Sequence, residues 1–525
     1  MDNYSSMEPN EVQQVLVNHL KENKTYGEGP QAWMIGYSKL GGRGMFATRD
    51  IQQGELIFID VPLLIGPRFK NLQICSCCYK SECPLFPCDR GCGLPVCSVE
   101  CENSPKHVDY ECKYLKSLVP ICGTDWSKDI LLALTPIRAL FMTDQQRECF
   151  AALQCHQSLI PEYEIDSLCR NVKDPPRKDE IDLMKRVCYA FNTNSFEAVS
   201  VQDKDHYASL RGLYPMGALQ NHSCVPNTKH HFDENYRLYV SAALSISAGE
   251  ELTMSYTSLF WDTMLRRQFL SATKHFDCNC KRCCDRTEFG SKLGALFCAG
   301  DDCFGHLLPQ DPLKSESPWI CDTNFKNTLY FTFSNTVDSG TYVFICSIRS
   351  GLAALVEEML YKSPRQILKM MQRDFSDLIP ESNYLMVDMK FRIISYFGRA
   401  EGLAWPELSN EELIVKRSYC NDLLSILDTL SCGYCKKKGI ILYELYWTNV
   451  ELIKRAQSQS INDERLQFLT EVCIDFCHFK YFPIFIEFDF QIDADKNECL
   501  IEKALKILNH DALTMSLLKS DKAMN

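Results

Sequence analysis

The chain has 525 residues, of which 46% are apolar, and it carries a formal net charge of −12. This length allows roughly two to four domains with cores of ordinary size. The acidic balance argues against direct DNA binding, which favours a basic face. Neither a signal-peptide pattern nor an uncharged apolar run of about 18 residues is found, so we expect no membrane contact and a nuclear or cytoplasmic location.

The first third of the chain alternates between helical and strand patterns. Residues 8–24 form a predicted polar helix, and Gly-rich turns separate short β-branched and aromatic runs over residues 33–67, a pattern typical of strands and hairpins. After a block rich in cysteine, residues 129–142 predict an apolar helix, which we expect Pro136 to interrupt.

The remainder predicts a mixed region followed by helices. Residues 237–243 and 251–256 have the composition of strands, joined by the turn 247–250. Beyond about residue 340, apolar spacing near 3.6 predicts a helical carboxy-terminal domain with segments at 367–375, 440–455, 464–477 and 499–518.

The 29 cysteines are unevenly distributed, and in a reducing compartment they favour metal sites over disulfides. The first dense block offers short-spaced pairs of soft ligands, the kind that let one turn supply two ligands to zinc. Interleaving predicts that the first and third pairs hold one zinc ion and the second and fourth another. The ligand candidates are Cys75, Cys78, Cys88, Cys92, Cys97, Cys101, His107 and Cys112.

A second block places Cys278, Cys280 and Cys283 within six residues. Three sulfurs can cap one face of a zinc ion, but a tetrahedral structural site needs a fourth ligand. The candidate is Cys224, upstream in the run Asn-His-Ser-Cys-Val-Pro-Asn at residues 221–227.

Two further groups of cysteines give weaker patterns. Cys298, Cys303 and Cys321 lack a fourth sulfur at the spacing of a zinc ribbon, where Thr323 and Asn324 stand instead. Unless Cys284 or another residue completes this group, a metal-free remnant is the favoured interpretation. The pair at residues 432 and 435 has no second pair, and we expect an exposed loop there.

The first block resembles a MYND finger, with cysteine pairs, then Cys-x3-Cys, then a histidine and a final cysteine. The spacings Cys88-x3-Cys92 and His107-x4-Cys112 are each one residue longer than is usual in that family. The resemblance implies a protein-interaction module for a proline-rich peptide or a corepressor.

Four motifs in chain order resemble a SET domain with a post-SET zinc site: Gly-Arg-Gly-Met-Phe-Ala at 42–47, the 221–227 run, Gly-Glu-Glu-Leu-Thr-Met-Ser-Tyr at 249–256, and Cys-x-Cys-x2-Cys at 278–283. With the MYND-like insertion between them, the chain resembles the SMYD family, and the segments at 192–196 and 212–215 resemble its arthropod-type members.

This resemblance implies an α+β fold, in which a SET β-core with a pseudoknot carries a MYND-type insertion, a post-SET zinc site and a helical carboxy-terminal domain. The implied boundaries are a helical extension at 1–32, the first SET half at 33–74, the finger at 75–112, the SET insertion and second SET half at 113–258, the post-SET region at 259–323 and the helical domain at 324–525.

The resemblance further implies an S-adenosylmethionine-dependent protein-lysine N-methyltransferase that acts on a protein substrate in gene regulation. Tyr256 matches the catalytic tyrosine, and zinc is structural, with two ions in the finger and one in the post-SET site. The cofactor-binding residues implied are Gly42, Arg43, Gly44, Asn194, Asn221, His222 and Phe276.

Two positions depart from the family pattern. Gly41 stands where many relatives carry Lys or Asn toward the cofactor, and Lys274 stands where several carry an aromatic residue lining the lysine channel. These departures keep a second hypothesis open, a catalytically weak or inactive adaptor that recruits transcriptional repressor partners. A DNA-binding zinc-finger protein ranks third because of the net charge. We expect a monomer.

Overall fold

The computed structural model describes residues 7–68, 73–156, 163–201, 207–298, 303–323, 361–375, 379–459 and 494–508, with residues 351, 354 and 359. In these ranges the chain is α+β, with short strands in several small sheets and a group of carboxy-terminal helices. None of the described helices is both long and apolar enough to cross a bilayer.

The strands are short and cluster in the first 321 residues. They are β1 (Trp33–Tyr37), β2 (Arg43–Ala47), β3 (Leu56–Asp60), β4 (Leu64–Pro67), β5 (Phe86–Pro87), β6 (Pro95–Val96), β7 (Ser195–Val201), β8 (Tyr207–Leu213), β9 (Asn221–His222), β10 (Thr228–Phe232), β11 (Leu238–Ala242), β12 (Thr253–Met254), β13 (Leu296–Phe297), β14 (His306–Pro309) and β15 (Trp319–Cys321).

The helices are α1 (Pro9–Glu22), α2 (Val99–Glu102), α3 (Lys113–Ser117), α4 (Lys128–Leu132), α5 (Leu134–Ala139), α6 (Asp144–Ala151), α7 (Tyr163–Arg170), α8 (Lys178–Asn194), α9 (Thr263–Lys274), α10 (Lys281–Cys284), α11 (Pro364–Met370), α12 (Tyr384–Tyr396), α13 (Asn410–Thr429), α14 (Lys436–Gln459) and α15 (Ala494–Leu508). The described residues also contain two π-helices, His107–Cys112 and Met371–Phe375, and two 3₁₀ turns, Gly217–Leu219 and Trp405–Glu407.

Two antiparallel sheets join parts of the chain on either side of the first cysteine block. In one, β3 pairs with β11, and β10 lies on the far side of β11. In the other, β4 pairs with β8, whose second neighbour is β7. The prediction of a β-core assembled from two sequence halves is therefore confirmed.

The strand predicted at residues 251–256 is shorter in the structure. Only Thr253 and Met254 form β12, which runs parallel to β9, so the turn at 247–250 does not close a hairpin. Side chains replace the missing ladder: the Thr253 amide donates to Asn227 Oδ1 at 2.8 Å, and the Tyr256 amide donates to His222 Nδ1 at 3.0 Å. The periodicity of apolar residues does not predict hydrogen bonds of this kind, in which a side chain accepts from the backbone.

The predicted helix at residues 8–24 is confirmed as α1. It contributes Val12, Leu16 and Leu20, which share one helix face, to a core that also contains Trp33 and Met45 of the β1–β2 hairpin. The helix is therefore part of the β-core and not a separate appendage.

A buried ion pair fixes α1 to the core. His19 Nε2 lies 3.1 Å from Asp60 Oδ1, and both side chains are buried. Asp60 Oδ2 also accepts the amides of Met216 and Gly217 at 2.8 and 3.1 Å. Burial alone would lower the pKa of His19, but its hydrogen bonds to Asp60 and Cys149 and the Asp60 charge outweigh burial and raise the pKa to about 10.

Raising the pH should weaken this attachment. A histidine in the unfolded chain titrates near 6.5, so the pair stabilises the fold fully below about pH 6.5 and loses its contribution as the pH rises to about 10. We expect the free energy of unfolding to fall by about 2–4 kcal/mol over that range. Urea denaturation of the wild type and of His19→Gln measures it. Equal pH slopes in the two proteins would contradict the assignment.

The predicted helix at residues 129–142 forms as two helices, and the break is not at Pro136. Helix α4 ends at Leu132 and α5 begins at Leu134, so Pro136 lies in the first turn of α5. Proline is tolerated there because the first-turn amides have no intrahelical acceptor.

The inserted helices and the first cysteine block share one hydrophobic core. Leu94 of the block packs in the same buried cluster as Ile130, Leu168 and Met184. The block is therefore packed against the surrounding insertion rather than projecting as an isolated module.

The carboxy-terminal helical prediction is confirmed where the structure describes it. The segment 367–375 lies in α11 and the π-helix that follows, and 440–455 lies in α14. The first part of 499–518 lies in α15. The segments 464–477 and 509–518 fall outside the described residues.

Cys432 and Cys435 lie in a loop between α13 and α14, as predicted, but the prediction that this loop is exposed is wrong. Their exposed fractions are 1% and 9%, and they pack with Leu427 of α13. The reason is tertiary: the turn between α13 and α14 docks on the β-core, where the Tyr434 amide donates to the Ala243 carbonyl at 2.8 Å. Sequence composition alone could not reveal that contact.

Candidate functional site

The first cysteine block folds into two groups of four ligand residues whose donor atoms lie within 4.8 Å of one another. The grouping is the interleaved one that the spacing predicts. One group is Cys75, Cys78, Cys97 and Cys101, and the other is Cys88, Cys92, His107 and Cys112. Either group could hold a zinc ion.

The longer spacing between His107 and Cys112 is accommodated by the π-helix, since its i→i+5 period brings both residues to one side. His107 Nε2 lies 3.3 Å from Cys88 Sγ. Its Nδ1 lies 3.5 Å from Glu111 Oε2, and Glu111 pairs with Arg138. A carboxylate behind the far nitrogen favours the tautomer that presents Nε2 to a metal.

The second cysteine block is completed by Cys224, as the sequence predicts. Its sulfur lies 3.5 Å from that of Cys283 and 3.9 Å from that of Cys278, and Cys280 belongs to the same group. A tetrahedral site with Zn–S bonds of about 2.3 Å has sulfur–sulfur edges of about 3.8 Å, whereas a disulfide bond is about 2.05 Å long. The spacing therefore fits four thiolates around one metal ion.

Buried cations beside this group supply an independent test of that fit. Arg266 and Arg282 are fully buried, and both pair with the single carboxylate of Glu288. Arg266 Nε also donates to Cys224 Sγ at 3.1 Å. Two buried positive charges and one negative charge leave an excess that would be costly without another anion. Four thiolates around a divalent zinc ion carry a net −2 charge and provide it.

His222 connects the second cysteine group to Tyr256. Because the Tyr256 amide donates to Nδ1, the ring proton resides on Nε2, which lies 3.1 Å from Cys224 Sγ. Burial lowers the pKa of His222 to about 4, so the ring is neutral at physiological pH. One imidazole thus links a sulfur of the group to the backbone at Tyr256.

Tyr256 is held as a neutral phenol. Its hydroxyl donates to the Gln220 carbonyl at 2.6 Å, and burial, followed by the charge of Glu251, raises its pKa above the usual range. Its ring lies 5.2 Å from that of His222 and 6.5 Å, edge-on, from that of Phe276. The hydroxyl can donate or accept hydrogen bonds but is not a base.

Asn221 fastens the glycine turn to this region. Its Nδ2 donates to the Arg43 carbonyl at 3.1 Å and to Glu251 Oε1 at 2.8 Å. A Cβ on Gly44 would lie 2.3 Å from that same carboxylate oxygen, so the close approach requires glycine there. Gly42 has a φ of +56°, with open space on its side-chain face.

This arrangement suits a ligand with polar donors. Within the described residues the Oδ1 of Asn221 makes no hydrogen bond, and the residue is half-buried, so its amide oxygen remains available to accept one. An open glycine turn beside such an acceptor fits the amino and hydroxyl groups of S-adenosylmethionine.

Arg43 and Asn194 both donate hydrogen bonds to backbone carbonyls at residues 152–154. Arg43 donates to the Met7 and Ala152 carbonyls at 3.1 and 2.7 Å. Asn194, at the end of α8, donates to the Gln154 carbonyl at 2.7 Å. Both side chains therefore hold the segment at residues 152–154 by its backbone carbonyls.

Several residues that build this site are not among those predicted from the sequence. Glu251 lies within the motif at 249–256, so the sequence does indicate its place in the site. Gln220 acts on Tyr256 through its backbone carbonyl, which no residue pattern reports. The buried charges Arg266, Arg282 and Glu288 resemble ordinary surface charges in the sequence and are identified only by tertiary structure.

With this geometry in place, comparison with known proteins defines the class. A family model described as SET domain matches residues 42–257, the range that contains the glycine turn, Asn221, His222 and Tyr256. A solved SET domain of LSMT bound to lysine and AdoHcy aligns with 88% of this chain at 12% identity and a TM-score of 0.30.

The SET domain-containing protein SmydA-8, isoform B, of Drosophila melanogaster is 34% identical over 429 residues, which cover 79% of this chain and 90% of that protein. The histone-lysine N-methyltransferase SMYD3 of Mus musculus is 27% identical over 265 residues, covering 46% of this chain and 59% of that protein. The chain belongs to the SMYD family of SET-domain proteins.

Proposed function

We propose that this chain is an S-adenosylmethionine-dependent protein-lysine N-methyltransferase with Tyr256 as its catalytic residue. The observation that carries the proposal is the convergence of the Gly42–Gly44 turn, Asn221, His222 and Tyr256 on one site. The names of relatives such as SMYD3, a histone-lysine N-methyltransferase, support it. The cofactor site would consist of Gly42, Arg43, Gly44, Asn194, Asn221, His222 and Phe276.

Bound S-adenosylmethionine would supply an activated methyl group. In-line transfer to an amine requires the two reactants about 3 Å apart and aligned, with the amine neutral. Because the Tyr256 hydroxyl proton is directed to the Gln220 carbonyl, the phenol oxygen is left as an acceptor for a hydrogen bond from the target amine. Tyr256 would therefore orient the amine, while solvent takes its proton.

Lys274, with Gly41, favours the competing adaptor hypothesis. Its Nζ donates to the Thr193 carbonyl at 2.5 Å and lies 5.5 Å from the centre of the Tyr256 ring. Burial lowers the pKa of this ammonium. A cation beside the position proposed for the target lysine would compete with it for the face of Tyr256 and repel it.

Removing that charge should improve the proposed reaction. We expect Lys274→Gln to raise kcat/KM for a lysine peptide about tenfold, since relief of about 1–2 kcal/mol of repulsion is reasonable for partly screened charges. Steady-state methyl transfer to a peptide measures it. Lys281→Gln removes the same charge from an exposed position and should change little. A loss of activity in Lys274→Gln would show that the lysine assists the reaction.

The remaining assignments are proposed on the same resemblance and grouping. Two zinc ions would occupy the groups at 75–112 and one the group of Cys224, Cys278, Cys280 and Cys283. The proposal also includes the domain boundaries given above and a SET pseudoknot. It includes a MYND-type finger that takes a proline-rich peptide or corepressor. It further includes a monomeric state and nuclear or cytoplasmic action in gene regulation.

Calorimetric titration of the purified full-length protein with S-adenosylmethionine tests the proposal first. Methyl transfer from radiolabelled cofactor to mixed nuclear and cytosolic extract tests it second, with Tyr256→Phe as the control. Failure to bind the cofactor would refute the proposed enzymatic function. Binding without transfer that depends on Tyr256 would favour the adaptor.

A further inference from the structure

We propose that Cys298, Cys303 and Cys321 form a further zinc site with three thiolate ligands and an exchangeable fourth position at Thr323. The sequence favoured a metal-free remnant here because no fourth sulfur stands at the expected spacing. The three sulfurs nevertheless converge, lying within 4.8 Å of one another. This proposal does not depend on methyl transfer.

The distances match those of a metal site. The sulfurs of Cys303 and Cys321 lie 3.6 Å apart, close to the edge of about 3.8 Å expected for thiolates around zinc and far longer than a disulfide bond of about 2.05 Å. The same spacing, 3.5–3.9 Å, occurs in the group of Cys224, Cys278 and Cys283. The two groups thus have sulfur separations of the same size.

Thr323 occupies the corner where a fourth ligand would stand. Its Oγ1 lies 3.3 Å from the Cys321 sulfur and 3.6 Å from the Cys303 sulfur. The residue is exposed, so water reaches this corner. A neutral hydroxyl or a water molecule is a weaker zinc ligand than a thiolate, and we infer that metal leaves this site more readily than a four-thiolate site.

The backbone at Gly305 lies too close to the ligand atoms for a residue with a side chain. Cys298 directly follows β13, Cys303 lies three residues before β14, and the Cys298 amide donates to the Gly305 carbonyl at 3.0 Å. A Cβ on Gly305 would lie 2.5 Å from the Cys321 sulfur and 2.1 Å from Thr323 Oγ1. Glycine at position 305 thus lets the backbone approach Cys321 and Thr323 closely.

The three cysteines lie beside a buried core, so an ion bound to them would have a structural role. Cys321 ends β15 and belongs to the buried core that contains Trp319 and the carboxy-terminal helices, while Cys298 and Cys303 pack against that core. A metal bound there would hold the connection between β13 and β14 against the end of β15, and so brace the sheet that packs on this core.

Cadmium-113 NMR of the full-length chain reconstituted with cadmium tests the ligand set. Sites with three sulfurs and one oxygen resonate upfield of four-sulfur sites, so we expect one such signal. Thr323→Cys should move that signal downfield into the four-sulfur region and leave the others in place. A spectrum unchanged by Thr323→Cys would overturn the proposal.

Zinc content provides the second measurement. Elemental analysis of purified Cys303→Ser should find one zinc ion fewer per chain than in the wild type. Cys499→Ser, which alters an exposed thiol of α15, should lose none. Equal zinc in Cys303→Ser and the wild type would refute the site. If Cys303→Ser does not fold, Thr323→Cys decides, because it replaces the weak fourth ligand with a sulfur and keeps all three cysteines.

Discussion

Loss of zinc from the group of Cys224, Cys278, Cys280 and Cys283 is expected to abolish binding of S-adenosylmethionine. His222 rests on the Cys224 sulfur through Nε2 and holds the Tyr256 backbone through Nδ1. Phe276 stands two residues before Cys278 and faces the His222 ring at 6.0 Å. Three walls of the proposed cofactor site therefore depend on the position of these sulfurs.

The electrostatics of the group increase this dependence. With the metal removed, four thiolates in contact cannot all stay ionised, so Arg266 and Arg282, which share the one carboxylate of Glu288, face less negative charge in a buried environment. Leaving a buried charge without its partner costs about 3–5 kcal/mol. We expect the helix ends that carry these residues to rearrange, which would displace Phe276.

Calorimetry on two cysteine variants separates this group from the first cysteine block. Cys280→Ser should weaken S-adenosylmethionine binding by about 100-fold or more, in line with the cost of disrupting a buried charged network. Cys78→Ser alters the exposed ligand of the first block and should leave the affinity near that of the wild type. Cofactor affinity that survives thorough chelation would contradict the coupling.

The parts of the fold and site that sequence reveals are those encoded by local spacing. The ligand pairs of the first block, such as Cys75 with Cys78, lie on single turns, so their separation along the chain dictates their separation in space. Helix α1 was predicted for the same reason, since three-to-four-residue periodicity is a local property.

The parts that sequence does not reveal depend on contacts between distant segments. The π-helix at 107–112, which accommodates one additional residue between His107 and Cys112, differs from an α-helix only in its backbone bonding. Burial of Arg266 beside Cys224 joins residues 42 positions apart. Pairing of β12 with β9, rather than with its neighbour in the chain, is equally non-local.

Replacing Tyr256 with phenylalanine should separate chemistry from binding. The variant keeps the ring that packs near His222 and Phe276 and removes only the hydroxyl, so we expect the dissociation constant for S-adenosylmethionine to stay close to the wild-type value. The target amine would lose the acceptor that aligns it. Loss of one oriented hydrogen-bonding group in a buried site costs about 3–4 kcal/mol, which predicts a fall in kcat of about 10²- to 10³-fold.

Single-turnover methyl transfer and calorimetry on the same preparation measure the two quantities. Tyr239→Phe is the matched control, because it deletes a hydroxyl on β11 that lies 3.4 Å from Asp233 and takes no part in the proposed site. If Tyr256→Phe loses rate and cofactor affinity together, the hydroxyl supports the fold through the Gln220 carbonyl and not the reaction. Loss of rate alone, with Tyr239→Phe unaffected, would assign the hydroxyl to the transferring step, since an intact cofactor site excludes a structural cause.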